Sequence, residues 1–208
     1  MDCGKKTSFN SRFWSMSAIK QLLFRQTLQR FVVQGVLMKF LYPDIYVKNI
    51  RAIPYGKMLE RNIKLLVFDI DNTLVPYDMP EATEDLVIFL NGLKAQGFEI
   101  CLLSNNNKKR VELFNKKFNF TAIYKARKPA SVGIKKIINM FGVSPEEVAI
   151  IGDQIFTDIW CGNRNKMFTI LTKPVEKRDS FGVYLKRGIE RKVVDAFKKK
   201  AYPIHKKS

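Results

Sequence analysis

Histidine is almost missing from this 208-residue chain: His205, in a lysine-rich tail, is the only one. A Ser-His-Asp triad and a metal site built from several imidazoles are thereby excluded. Cysteine is scarce too. Cys3, Cys101 and Cys161 are odd in number, widely spaced and free of any CxxC, which rules out a disulfide framework and a zinc finger. Cys101 lies inside an apolar run and reads as core. No apolar run reaches the roughly 18–20 residues that cross a bilayer; the longest, Phe31 to Leu41, is interrupted by Gln34, Gly35 and Lys39. The N-terminus lacks the ordered charged region, apolar region and small-residue cleavage site of a secretory signal. No internal repeat or low-complexity linker is present.

Acidic residues are the remaining shortage. The chain has 37 Lys and Arg against 19 Asp and Glu, a net charge of +18, while 46% of its residues are apolar and 27% charged. That apolar content supports one domain with a sizeable core, and the charge implies an acidic partner: nucleic acid, an anionic membrane or a phosphorylated substrate. The basic excess sits at the ends. Residues 1–62 hold 11 basic and 3 acidic side chains, residues 176–208 hold 11 and 4, and the centre, 63–175, holds 15 and 12. Three segments follow: a basic amphipathic helical segment over 1–40, a core over 41–175, and a basic C-terminal helix and tail over 176–208. In the first, Phe13, Trp14, Met16, Ile19, Leu22, Leu23, Leu28 and Phe31 recur near helical spacing among Arg12, Lys20, Arg25 and Arg30. The pattern fits a helix lying in a membrane interface, a helix packed on the protein's own core, or an organelle-targeting presequence.

The centre alternates strand and helix signals. Strand-sized apolar runs occur at Leu65–Phe68, Ile100–Leu103, Ala122–Tyr124, Val148–Ile151 and Phe168–Leu171, with helical stretches at about 82–96, 107–118, 130–142 and 156–164. Alternation of this kind predicts an α/β fold, a doubly wound, Rossmann-like parallel sheet with helices on both faces. In such a sheet ligands bind at the carboxyl ends of the strands. Those ends carry Asp69-Ile70-Asp71-Asn72-Thr73, then Ser104-Asn105-Asn106, then Lys125-Ala126-Arg127-Lys128-Pro129, then Gly152-Asp153 with Asp158 five residues on.

Clustered carboxylates repel one another unless a cation sits between them, and an all-oxygen donor set without histidine favours Mg²⁺ over zinc. One carboxylate in line with a phosphorus atom can act as a nucleophile, and a second, two residues on, can pass a proton to the leaving oxygen. A hydroxyl, backbone amides and a lysine can hold the non-bridging oxygens where charge develops.

Asp69-x-Asp71-Asn72-Thr73, Ser104, Lys128-Pro129 and Gly152-Asp153-x4-Asp158 resemble the four motifs of the haloacid dehalogenase (HAD) superfamily, in order and at strand ends. The resemblance implies Asp69 as nucleophile and Asp71 as general acid/base. It implies Mg²⁺ held by the Asp69 carboxylate, the Asp71 carbonyl and Asp153, with Asp158 either a water-mediated metal ligand or an orienter of Lys128. Thr73 would support the loop; Ser104, Asn105 and Lys128 would bind phosphate. Arg164 is a candidate for a head group or phosphate, or else a helix-end cation.

Across residues 37–193 the chain further resembles the subclass IIIA phosphatidylglycerophosphate phosphatases, through Tyr42-Pro43-Asp44-Ile45-Tyr46-Val47, Ser104-Asn105-Asn106-Asn107, Tyr124–Pro129, Gly152–Asp158 and Gly162-Asn163-Arg164-Asn165. Only 32 residues separate Asp71 from Ser104 and 23 separate Ser104 from Lys128, too few for an inserted cap domain. An open site favours a phosphate presented by an extended substrate or surface. The expectation is a Mg²⁺-dependent phosphomonoesterase that takes phosphatidylglycerophosphate to phosphatidylglycerol through an aspartyl-phosphate. It would work peripherally, without a transmembrane span, on the cytoplasmic face of an anionic membrane, or on the mitochondrial matrix side if the N-terminal segment is a presequence. The alternatives are a capless phosphatase of proteins, nucleic-acid ends or nucleotides, and a non-catalytic polyanion-binding module. The acid set disfavours nucleic acid as partner. Oligomeric state has no signal in the sequence.

Overall fold

The computed structural model describes residues 38–176, 188 and 190–198. Of the amphipathic segment expected over 1–40, residues 1–37, with Trp14, lie outside the described residues, as do Cys3 and the lysine-rich end of the tail. Six strands form one parallel sheet in the order β1-β6-β5-β2-β3-β4: β1 Ile45–Val47, β2 Leu65–Phe68, β3 Glu99–Leu103, β4 Thr121–Ile123, β5 Val148–Gly152 and β6 Phe168–Thr172. The helices are α1 Met38–Leu41, α2 Tyr55–Glu60, α3 Glu84–Ala95, α4 Lys108–Asn115, α5 Val132–Phe141 and α6 Trp160–Arg164. A further helix covers 190–198.

The sheet is buried on both faces, as parallel sheets built from crossover units must be. One face of β2 and β3 presents Leu66, Phe68, Ile100 and Leu102 to Leu86, Leu90 and Leu93 of α3 and to Val111 and Phe114 of α4. The other presents Leu65, Val67, Cys101 and Leu103 to Ile134 and Ile137 of α5. Cys101 is core, as its apolar run implies. The five expected strands are all present, each within a residue or two of its apolar run. Helix ends follow from local chemistry. The Thr83 hydroxyl accepts the Leu86 amide and starts α3, Asn107 accepts the Arg110 amide and starts α4, and Gly142 in the left-handed region closes α5. Ser144 and Glu147 form a capping box around Pro145.

Two features go beyond the expected elements. Strand β1 pairs with β6 on the sheet edge, Ile45 opposite Ile170. The Asp44 carboxylate fixes that join by accepting the Thr169 amide and hydroxyl at 2.7 and 2.9 Å, while Asn163 donates to the Phe40 and Tyr42 carbonyls. The stretch expected as a helix from 156 begins instead as a π-helical turn, Ile155–Ile159, before α6. Such turns occur often at functional sites. No helix among the described residues is long and apolar enough to cross a membrane. Between Asp71 and Ser104, and again between Ser104 and Lys128, the chain holds one helix and one strand and no cap domain.

Candidate active site

The strand order reverses between β5 and β2, and the site lies there, outside the carboxyl ends of the strands. The Asp69 amide donates to the Ile151 carbonyl, so the β2–β5 pairing extends to the first catalytic-loop residue and fixes where its side chain emerges. The loop then turns tightly. Asn72 takes φ +63°, its amide bonds to Val75 O at 2.7 Å, and the Leu74 amide returns to Ile70 O at 3.0 Å. The Asn72 Oδ1 atom is buried without a hydrogen-bond partner.

Asp69, Asp153 and Asp158 converge, with one carboxylate oxygen from each within 4.8 Å of the others, and all three are buried. Lys128 Nζ lies 2.6 Å from Asp69 Oδ1 and 2.6 Å from Asp158 Oδ1. The Thr73 hydroxyl is 3.2 Å from Asp69 Oδ2 and 3.3 Å from Asp153 Oδ1, spanning the first and fourth motifs. Two of the three buried carboxylates thus share one ammonium. Burial, with Asp158 and Asp153 adding to it and Lys128 opposing, pushes the Asp69 carboxyl up to about 8. Burial acts to lower the Lys128 ammonium, but Asp158 and Asp69 outweigh it and hold the group above its ordinary value. An all-oxygen cluster of three carboxylates, with no imidazole or thiolate among its donors, fits a hard divalent cation.

Asp158 is committed to its neighbours. Its Oδ1 meets Lys128, and its Oδ2 accepts the Gln154 amide at 3.1 Å. The π-helical turn brings it back over Gly152, where a Cβ would collide with the Asp158 carboxylate. This collision explains why glycine precedes Asp153. The turn is held from outside by Glu190, whose Oε1 accepts the Ile155 amide at 2.9 Å and the Phe156 amide at 3.4 Å.

The strand ends of β3 and β4 are laced together. The Ala126 amide donates to Ser104 O and the Lys125 amide to Asn106 O. The Asn105 side chain grips the Lys128 backbone from both sides, accepting its amide at 2.7 Å and donating to its carbonyl at 3.1 Å. Ser104 is buried and its Oγ accepts the Asn106 amide at 3.0 Å, which leaves the hydroxyl proton for another acceptor.

Asp71 stands toward the rim. Arg110 Nε and Nη2 both donate to its Oδ1, at 3.1 and 2.9 Å, and Asn106 Nδ2 donates to its Oδ2 at 3.2 Å. Arg110 is itself tied to Pro80 O at 2.8 Å. The structure therefore brings together Asp69, Thr73, Lys128, Asp153 and Asp158, with Asp71 on the same loop and Ser104 and Asn105 on the adjoining strand end. Arg164 is not among them: it lies over the Trp160 ring, 6.0 Å from its centroid, and bonds to none of the carboxylates. Sequence reasoning takes Arg110, with Lys108 and Lys109, as a solvated face or an attraction for anionic lipid, gives Asn106 only as part of a strand-end motif, and passes over Glu190. Three asparagines directly after an apolar strand signal a polar strand end, but only the fold shows which loop each one reaches.

This fold and this carboxylate–lysine constellation define a phosphatase of the HAD superfamily. Residues 29–176 match the mitochondrial PGP phosphatase family, PGP being phosphatidylglycerophosphate, and the chain belongs to that family. It is 40% identical to a probable phosphatase, YqeG, of Bacillus subtilis over 80% of this chain and 97% of that protein. Identity to a chloroplastic and mitochondrial phosphatidylglycerophosphate phosphatase of Arabidopsis thaliana is 25%, over 73% of this chain and 49% of the plant protein, so the chain spans about half the length of that relative. A deoxy-D-mannose-octulosonate 8-phosphate phosphatase from Haemophilus influenzae, solved with cobalt, overlaps 67% of this chain and 91% of its own at 15% identity and a TM-score of 0.45.

Proposed function

We propose that this phosphatase hydrolyses the terminal phosphomonoester of phosphatidylglycerophosphate, at an anionic membrane surface that it does not span. The observation that carries the reading is the lack of an inserted cap on a chain of this family: residues 71–128 hold only helices and strands of the core, which favours a phosphate presented by an extended substrate or surface. The name of the plant relative supports the same substrate.

Asp69 attacks the phosphorus, and the glycerol oxygen leaves with a proton from Asp71, giving an aspartyl-phosphate and phosphatidylglycerol. Asp71 then takes a proton from water as that water attacks the phosphorus, releasing phosphate and restoring Asp69. Arg110 fills Asp71 Oδ1 with two hydrogen bonds, which leaves Oδ2, with one bond from Asn106, as the atom able to carry the proton. Ser104 and Lys128 hold the non-bridging oxygens, and Asn105 sets the position of Lys128. Mg²⁺ held by Asp69, Asp153 and the Asp71 carbonyl would neutralise phosphate charge. Asp158 serves as the orienter of Lys128, since both its oxygens are engaged.

The test is phosphate release from phosphatidylglycerophosphate, phosphatidic acid, a sugar phosphate and a nucleotide, each with Mg²⁺ and with chelator. Mg²⁺-dependent preference for phosphatidylglycerophosphate is expected. Preference for a nucleotide or sugar phosphate would overturn the substrate.

A further inference from the structure

Beside the site, between the end of β4 and the start of α5, lies a cleft of about 310 Å³ lined by Tyr124, Lys125, Ala126, Arg127, Val132 and Lys136, among others. No acidic residue lines it. Among the described residues neither Lys125, Arg127 nor Lys136 has an ion-pair partner. Lys125 and Arg127 also occupy left-handed backbone, φ +46° and +56°, where long side chains are disfavoured by roughly 1–2 kcal/mol each. Nothing in the folding of the loop requires cations there.

The apolar members are equally unpartnered. Val132 is 72% exposed, Tyr124 42% and, one helix face along, Met140 56%. Around α5 the buried stripe runs through Gly133, Ile134 and Ile137, while Val132, Lys135, Lys136 and Met140 face outward and exposed. Helix α5 holds no acid at all. Cations interleaved with exposed apolar side chains are the composition of a surface that lies in a lipid interface. A nucleic-acid groove calls for cations and successive stacking aromatics; Tyr124 is the one aromatic lining the cleft, and Val132 and Met140 are aliphatic. Chain continuity places this surface next to the chemistry, because Lys125 and Arg127 immediately precede Lys128.

We infer that the β4–α5 surface is where the enzyme docks on an anionic phospholipid bilayer, with Tyr124 and Val132 entering the interface and Lys125, Arg127 and Lys136 binding lipid phosphates. The inference deepens the lipid-phosphatase reading and rests on it for the choice of lipid. It orients the protein: the sheet face covered by α5 meets the membrane, and the face covered by α3 looks away from it.

Each cation near an anionic surface contributes about fivefold to partitioning, at about 1 kcal/mol. Lys125→Gln/Arg127→Gln/Lys136→Gln therefore weakens binding to vesicles of mixed phosphatidylcholine and phosphatidylglycerol on the order of 100-fold, with turnover of soluble p-nitrophenyl phosphate retained as the check on folding. A second measurement leaves the cations in place. In the full chain carrying Cys3→Ser, an environment-sensitive fluorophore is attached after Val132→Cys, and in a control after Ile88→Cys, which is 73% exposed on α3. Anionic vesicles should shift the emission of the label at 132 to the blue and leave the label at 88 unchanged.

An equal shift at both positions, no shift at 132, or undiminished vesicle binding by the triple variant would each overturn the inference. So would a loss of RNA binding with vesicle binding intact. The two readings fail separately. Lipid turnover with no shift at 132 removes the docking surface and keeps the substrate, whereas a shift at 132 without lipid turnover keeps the surface and removes the substrate.

Discussion

Replacing Lys128 by methionine is the sharpest perturbation of the charge balance that the site depends on. The ammonium is buried and sits 2.6 Å from a carboxylate oxygen of both Asp69 and Asp158, which are buried as well. Removing it leaves the converging carboxylates without the ammonium that pairs Asp69 and Asp158. Breaking a buried ion pair from one side costs about 3–5 kcal/mol. The lower end applies here, because burial already holds the Asp69 carboxyl above its ordinary range, so that the cluster carries less than its full negative charge. For a chain of this length about 3 kcal/mol lowers Tm by about 6–12 °C. The assay is a thermal melt in chelator, followed by a Mg²⁺ titration. The variant should melt about 6–12 °C below wild type in chelator and recover more than wild type as Mg²⁺ is added, since it holds more uncompensated negative charge. Phosphate release should fall by about 10²–10³, as for loss of a donor to a transition-state oxyanion. If Lys128→Met melts within a degree of wild type in chelator, the ammonium does not balance the carboxylate charge and the argument for a cation at this site collapses.

Three further outcomes follow from other contacts. Gly152→Ala drives a methyl into the Asp158 carboxylate; at roughly 1–3 kcal/mol for overpacking it should lower Tm by a few degrees and cut kcat with KM little changed, and full activity would refute the account of that glycine. Arg110→Met frees Asp71 from its clamp, so turnover of alkyl phosphomonoesters, whose leaving oxygen needs a proton, should drop at least tenfold more than turnover of p-nitrophenyl phosphate; an equal drop on both would contradict the role given to Asp71. Burial pushes the Cys101 thiol up to about 12 and the Cys161 thiol up to about 11. Both stay protonated at neutral pH, and these two thiols weaken folded stability only as pH rises from about 8.5, where unfolded thiols ionise. In a Cys3→Ser background alkylation at pH 8 should therefore be negligible until denaturant is added, and rapid labelling of the native protein would show that these thiols are not core.

Much of this was readable because a parallel sheet buried on both faces leaves uninterrupted apolar runs. Leu65–Phe68 and Val148–Ile151 cannot face water on either side, and the residues immediately after them fall on one rim whatever the loops do. Asp69, Ser104, Lys128 and Asp153 were legible for that reason. Strand β1 escaped notice because three half-buried residues, Ile45–Val47, carry no period, and it exists through the Asp44–Thr169 contacts across 125 residues of chain. The helix expected from 156 starts as a π turn because Asp158 and Glu190 both take up backbone amides there. A carboxylate 32 positions beyond Asp158, in a stretch read as a basic helix and tail, leaves no trace of its partner in local pattern. Arg110 was visible as one of three consecutive cations opening α4, a run that reads as a solvated face. Only the fold turns that one side chain, and not Lys108 or Lys109, onto Asp71.

The central claim is that Asp69 becomes phosphorylated by a lipid phosphomonoester. Wild-type enzyme mixed with phosphatidylglycerophosphate in anionic vesicles and Mg²⁺, acid-quenched during turnover and digested, should yield the peptide containing Asp69 heavier by one phosphoryl group. The same experiment with Asp69→Asn should yield no modified peptide and no released phosphate. Phosphate release by Asp69→Asn at the wild-type rate, or a phosphoryl group recovered on any other residue, would contradict the account.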